Sequence, residues 1–178
     1  MQSMIQLIST LIGIYTTIIL LRVWLQVARA DFYNPLSQFV VKATHFIVGP
    51  LRRLIPSLGG WDIATLLFAY VLSCIQGLIP ALLMNVTIDP MSVFIYGLVN
   101  LITSAYYLLF GCLILRAILS WISQGQNPIE HLIMQLTEPL LAPIRKIIPP
   151  MGGLDLSMLV LILGLQFFSN LILEMFHF

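Results

Sequence analysis

Four uninterrupted apolar stretches, at positions 1–21, 63–88, 90–115 and 156–173, carry no Asp, Glu, Lys or Arg. Each is long enough, at about 1.5 Å rise per helical residue, to cross roughly 30 Å of hydrocarbon. The pattern therefore predicts four transmembrane helices. Only a short polar turn at 85–90 separates the second stretch from the third, so those two spans must run antiparallel. Two longer connectors, 29–60 and 124–153, mix charged and apolar positions. Each holds an Asn-Pro pair (Asn34-Pro35, Asn127-Pro128) in which Asn suits a helix N-cap and Pro the first helical position. A helix is expected over 35–48, with Phe39, Val40, Phe46 and Ile47 grouped apart from Gln38, Lys42 and His45. Its counterpart over 128–137 carries Ile129, Leu132, Ile133 and Leu136, and Glu130 completes a capping-box pattern with Asn127. These amphipathic segments are expected to lie along the membrane interface rather than cross it.

The chain also repeats itself. A displacement of 93 positions brings Asn34-Pro35 onto Asn127-Pro128, Thr44 onto Thr137, and Pro-Leu-Arg-Arg-Leu-Ile-Pro (50–56) onto Pro-Ile-Arg-Lys-Ile-Ile-Pro (143–149). It also lays Gly59-Gly60-Trp61-Asp62 on Gly152-Gly153-Leu154-Asp155. Upstream the displacement is 94, and Leu21-Arg22 meets Leu115-Arg116. The expected fold is an all-α membrane protein of four transmembrane helices in two tandem parallel repeats, each a span, an amphipathic connector and a span. The first repeat covers residues 1–84 and the second 91–178. An even number of spans per unit relates the copies by an axis along the membrane normal.

Composition points the same way. Hydrophobic residues make up 60% and charged residues 8% of the chain, with a mean hydropathy of +1.01. A water-facing surface needs about a quarter charged residues, so a bilayer is the solvent that suits this chain. A net charge of +1 gives no electrostatic case for direct nucleic-acid binding. All eight Lys and Arg residues lie in or beside the two connectors. The positive-inside rule then places the connectors in the cytoplasm and both termini outside. The first apolar stretch lacks a basic leader and runs to Arg22 without a small-residue cleavage site, so it is expected to be a retained span.

Several residues carry candidate chemistry. Arg52 and Arg53, with their counterparts Arg145 and Lys146, form a proline-bracketed basic turn expected to meet an anionic lipid headgroup or an acidic partner. Ordinary interfacial arginine obeying the positive-inside rule is the plainer alternative. Asp62 and Asp155 open the second and fourth spans, where N-capping is a better reading than ion coordination. Arg22 and Arg116 end the first and third spans and are expected to snorkel, with Trp24 and Trp121 as interfacial aromatics. In the fourth span Gln166, Asn170 and Glu174 recur every four residues. A polar stripe in lipid should face protein or a water-filled path, and Gln76, Asn100, Thr103 and Ser104 are available to it as hydrogen-bonding partners. Gly77 and Pro80 are expected to weaken or kink the second span.

No phosphate loop, His-x-x-x-His pair or nucleophile elbow is present, so no enzymatic activity, cofactor or metal is expected. Cys74 and Cys112 sit in apolar runs, where a thiol acts as a small hydrophobe.

Three segments resemble the YggT/YlmG family of bacterial and plastid membrane proteins: Leu21-Arg22-Val23-Trp24, Asp31-Phe32-Tyr33-Asn34-Pro35, and Pro50-Leu51-Arg52-Arg53-Leu54-Ile55-Pro56. Leu115-Arg116-Ala117-Ile118-Leu119-Ser120-Trp121, Asn127-Pro128 and Pro143-Ile144-Arg145 supply the second copy, as in two-copy proteobacterial members. The resemblance implies a multi-pass protein of the bacterial inner membrane without known catalysis. It also implies a link to osmotic-stress tolerance and potassium uptake, while relatives are tied to cell division, nucleoid organisation and cytochrome assembly. Such roles suit an accessory or scaffold factor with a homo-oligomeric or membrane-protein partner. A homo-oligomeric K⁺ transporter or channel subunit is the alternative.

Overall fold

A computed structural model of the chain describes residues 2–57, 60–84, 87, 89–122, 127–148 and 155–176. These form six α-helices: α1 (Gln2–Val27), α2 (Pro35–Leu54), α3 (Ile63–Leu83), α4 (Pro90–Ile122), α5 (Pro128–Arg145) and α6 (Leu156–Met175). Helices α1, α3, α4 and α6 are long and apolar enough to cross a membrane. Helix α2 nearly matches them in length but carries Lys42, Arg52 and Arg53, so it is not among them. Gly59, Gly152, Gly153, Leu154, Pro149 and, in the 85–90 turn, Asn85, Val86 and Ile88 lie outside the described residues, as does the side chain of Trp121.

Four boundaries differ from expectation. Helices α1 and α4 continue past Arg22 and Arg116, because those charges find partners inside the protein and need not end the span. Helix α2 runs through Pro50 to Leu54, and α5 through Pro139 and Pro143 to Arg145. The basic turns are thus the last turns of long helices, not separate elements. Proline removes one N–H and crowds the carbonyl four residues earlier. For Pro50 that residue is Phe46, itself 88% exposed. Pro80 likewise lies inside α3 without ending it.

The buried stripe of α2 is Ser37, Val40, Thr44 and Val48, at helical spacing. Phe39 and Phe46 point outward instead of joining Val40, as aromatic side chains do when acyl chains rather than protein cover them. Helix α5 buries Leu132, Ile133, Leu136, Thr137 and Leu141, while Ile129 is exposed. Asn127 caps α5 through Ile129 N at 2.9 Å. Glu130 does not close the predicted box: its Oε2 is buried without a hydrogen-bond partner among the described residues.

Packing joins the helices around two apolar clusters. Leu25, Val40, Cys112, Leu132 and Leu136 bring α1, α2, α4 and α5 together. Ile19, Leu20 and Ala69, with Leu66, Leu101 and Ala105, join α1, α3 and α4. Helix α3 packs on α1, α2 and α4, whereas α6 packs on α4 and α5 alone to any extent. The α3–α4 contact is close because a Cβ at Gly97 would collide with Cys74 Sγ, and one at Gly77 with the Tyr96 ring. Trp24 is not a lipid anchor. Its Nε1 donates to Leu136 O at 2.9 Å, Asp31 N donates to Gln135 Oε1 at 2.8 Å, and Asn34 Nδ2 donates to Pro128 O at 2.7 Å. These three bonds tie the first half of the chain to α5.

Candidate functional site

The polar chemistry gathers where α2 and α5 meet the span ends. Asp62 caps α3, its Oδ1 accepting from Thr65 N at 3.2 Å. It is 2% exposed, and a carboxylate so placed needs a cation to offset its desolvation. Arg52 supplies it, with Nε 3.0 Å from Asp62 Oδ2, while Arg52 Nη2 donates to Gln26 Oε1 at 2.9 Å. The last turn of α2 is thereby locked to the ends of both flanking spans.

The second half builds a similar lock. Asp155 caps α6, accepting from Ser157 N at 3.1 Å, and takes a bond from Arg145 Nε at 3.1 Å. Burial alone would raise the Asp155 carboxyl, but the hydrogen bonds and charge of Arg145, with Ser157, outweigh it and hold the group below the usual carboxylate range. Arg145 is correspondingly raised, chiefly by its hydrogen bond to Asp155. Its Nη1 also donates to Glu138 Oε1 at 2.9 Å.

The two span arginines are buried as well. Arg22 is 6% and Arg116 8% exposed, so neither snorkels to water. Arg22 Nη1 donates to Thr44 Oγ1 at 2.7 Å and to Val41 O at 3.3 Å. Arg116 Nη1 donates to Thr137 Oγ1 at 2.6 Å. Each threonine hydroxyl in turn donates to the carbonyl four residues earlier, Val40 O or Ile133 O, both at 2.7 Å. That leaves the oxygen lone pairs for the guanidinium. The halves differ in charge balance. Arg116 Nη2 reaches Glu138 Oε2 at 3.1 Å, whereas the residue after Thr44 is His45, which is exposed. The first cluster holds Arg22, Arg52 and Asp62, an excess of one cation. The second balances Arg116 and Arg145 against Glu138 and Asp155.

The basic pairs are therefore divided. Arg52 and Arg145 are engaged inside the protein, while the neighbouring Arg53 and Lys146 are exposed and have no side-chain partner among the described residues. The polar stripe of α6 is also placed differently from expectation. Gln166, Asn170 and Glu174 are all exposed and meet neither Gln76 nor Asn100. Those two pair with each other instead, Asn100 Nδ2 donating to Gln76 Oε1 at 3.0 Å. No group of three metal-ligating side chains occurs among the described residues. Thr44, Thr137, Gln26 and Glu138 were not singled out as site residues in the sequence. The recurrence of the two threonines at the displacement of the basic turns was the available signal.

These features define a polytopic all-α protein with four helices fit to span a bilayer and two amphipathic helices clamped to their ends. The family model described as CCB3/YggT matches residues 1–83 and 95–176, and the chain belongs to the CCB3/YggT family. It is 57% identical to an uncharacterized protein from the proC 3′ region of Vibrio alginolyticus, over 94% of this chain and 91% of the relative. It is 49% identical to the uncharacterized protein YggT of Escherichia coli K12, over 92% and 85%. With an uncharacterized protein of Pseudomonas aeruginosa the identity is 40%, over 96% and 88%. No solved structure matches the chain.

Proposed function

We propose that the protein is a non-enzymatic scaffold or accessory factor of the bacterial inner membrane, with α2 and α5 on the cytoplasmic side and both termini periplasmic. The confinement of every Lys and Arg to the connectors and their flanks supports that orientation. We read the halves as tandem parallel repeats, supported by the Arg22–Thr44 and Arg116–Thr137 bonds and by the two matched segments.

One observation carries the functional reading. In each half an arginine fixes the connector helix to a span, and the adjacent basic residue, Arg53 or Lys146, is left facing outward. A fixed cation beside an exposed apolar face suits an anionic lipid headgroup or an acidic segment of a membrane partner. The resemblance supplies the physiological setting, osmotic-stress tolerance and K⁺ homeostasis. A K⁺ path within one chain is the weaker reading, because Gln166, Asn170 and Glu174 face outward.

The test is lipid retention. Native mass spectrometry of protein extracted from membranes should detect bound phosphatidylglycerol or cardiolipin. The double variant Arg53→Gln with Lys146→Gln should lose most of it while keeping its thermal stability, and should fail to complement a deletion strain at high osmolarity. Equal retention and full complementation would overturn the proposal.

A further inference from the structure

The two halves do not close on each other evenly. Helix α3 has a span on each side, α1 and α4, whereas α6 packs on α4 and α5 and leaves the face of Gln166, Phe167 and Asn170 exposed among the described residues. Under the displacement of 93 positions, the residues by which α3 meets α4 have counterparts on α6. Cys74, which faces Gly97, corresponds to Phe167, and Gly77, which faces Tyr96, corresponds to Asn170. Both counterparts are exposed. With the upstream displacement of 94, the α4 side of that contact has counterparts on α1. Tyr96, Gly97 and Asn100 correspond to Gln2, Ser3 and Gln6, and these three are exposed as well.

We infer that a second copy of this chain covers the open face of α6, laying its α1 there as α4 lies on α3. The inference rests on the tandem-repeat reading. The two open faces correspond, position by position, to the two sides of the α3–α4 contact already built once in each molecule.

Their chemistry matches. Asn170 lies about one and a half turns from the end of α6, and Gln6 about one turn from the start of α1. Two candidate spans, α3 and α4, lie between α1 and α6, so α1 and α6 run antiparallel and those two ends lie on one side of the membrane at similar depth. As Gly77 faces Tyr96, so Asn170 falls opposite Gln2, and with Gln6 one turn away amides there can donate and accept across the helices. Phe167 falls opposite Ser3, and because Ser3 carries a Cβ where Gly97 has none, the two helices here stand farther apart than α3 and α4 do, with the Phe167 ring filling the gap. The stripe of Gln166 and Asn170 in hydrocarbon is also explained, because an amide facing lipid has no partner at all. The contact uses different faces on the two copies, so it propagates head to tail until it closes into a ring.

The experiment is disulfide trapping in native membranes, on a Cys74→Ala, Cys112→Ala background. Two differently tagged chains are co-expressed, one carrying Ser3→Cys and the other Phe167→Cys. A mixed disulfide between the tags is expected, and Asn170→Leu should lower its yield roughly three- to tenfold, the equivalent of one interhelical hydrogen bond. Self-linked Phe167→Cys chains in place of the mixed product would overturn the inference in favour of a two-fold contact. Absence of any cross-link, with a monomeric mass in lipid nanodiscs, would overturn it in favour of lipid or an unrelated partner. An impermeant thiol reagent tests the repeat reading separately: Gln2→Cys and Glu174→Cys must label from one face of the membrane. If they do not, that reading has failed whatever the cross-link shows.

Discussion

The guanidinium of Arg22 rests 2.7 Å from the Thr44 hydroxyl, and that of Arg116 rests 2.6 Å from Thr137. A charge on one span is thus held by a hydroxyl on the amphipathic helix that follows it. The bond does two things at once. It lets α1 and α4 carry a buried cation, and it fixes the helix rotation that puts Phe39 and Phe46 outward.

Thr44→Val keeps the volume and removes the acceptor. A buried donor left unmade costs about 1–3 kcal/mol, so thermal unfolding in detergent should shift down by that amount for Thr44→Val and for Thr137→Val. Thr44→Ser should stay near wild type. In the second half Glu138 still faces Arg116, so Thr137→Val should be the milder of the two. Wild-type stability in all three variants would show that the two bonds contribute nothing to the fold.

Asp62 acts as both cap and counter-ion. Asp62→Ala should cost about 1–2 kcal/mol, most of it the cap, since removing the buried carboxylate also removes the desolvation that its pair with Arg52 offsets. Asp62→Asn keeps an acceptor for Thr65 N and should cost less than about 1 kcal/mol. Chemical denaturation of the two variants side by side separates the contributions.

Acid should open the second lock. The Asp155 carboxyl is held below its ordinary value, so its contribution to stability is complete above about pH 4. It is lost as pH falls through the depressed value. The unfolding midpoint of wild type should therefore drop in that acid window, and Asp155→Asn should flatten the drop. An identical acid limb in the variant would assign the loss to another carboxylate.

The α3–α4 seam should be intolerant at Gly97. A methyl there meets Cys74 Sγ and lies 3.3 Å from Cys74 N, so Gly97→Ala should cost about 1–3 kcal/mol through overpacking. Adding Cys74→Ala should recover part of that loss. Gly111→Ala has nothing within 4 Å to meet and should be neutral or slightly stabilising, as helix propensity favours Ala.

Arg29 holds φ 51° just after α1, where Ala30 N donates to Leu25 O at 3.0 Å in a left-handed helix ending. Arg29→Gly relieves that conformation and should raise the unfolding temperature by a few degrees, corresponding to at most about 1 kcal/mol. A lower temperature would mean that the side chain contributes more than its backbone strain removes.

Local features could be read without a structure. Asn34, Asn127, Asp62 and Asp155 cap helices because a cap depends only on the next few residues. The four apolar helices follow from composition over about 20 positions, and the solvent that such stretches demand does not depend on how they pack. The neighbours of a side chain are another matter. Arg22 and Arg116 read as snorkelling charges because nothing within reach along the chain could hold them. Their partners stand about twenty residues away, on helices whose rotation is set by packing. Arg52 and Arg53 are indistinguishable in a linear reading, yet one turns to Asp62 and the other away, since adjacent helical residues point about 100° apart. The stripe of Gln166, Asn170 and Glu174 shares one face by periodicity alone. Which way that face looks depended on where α4 and α5 lay against α6, and long-range packing of that kind is a property of the folded bundle.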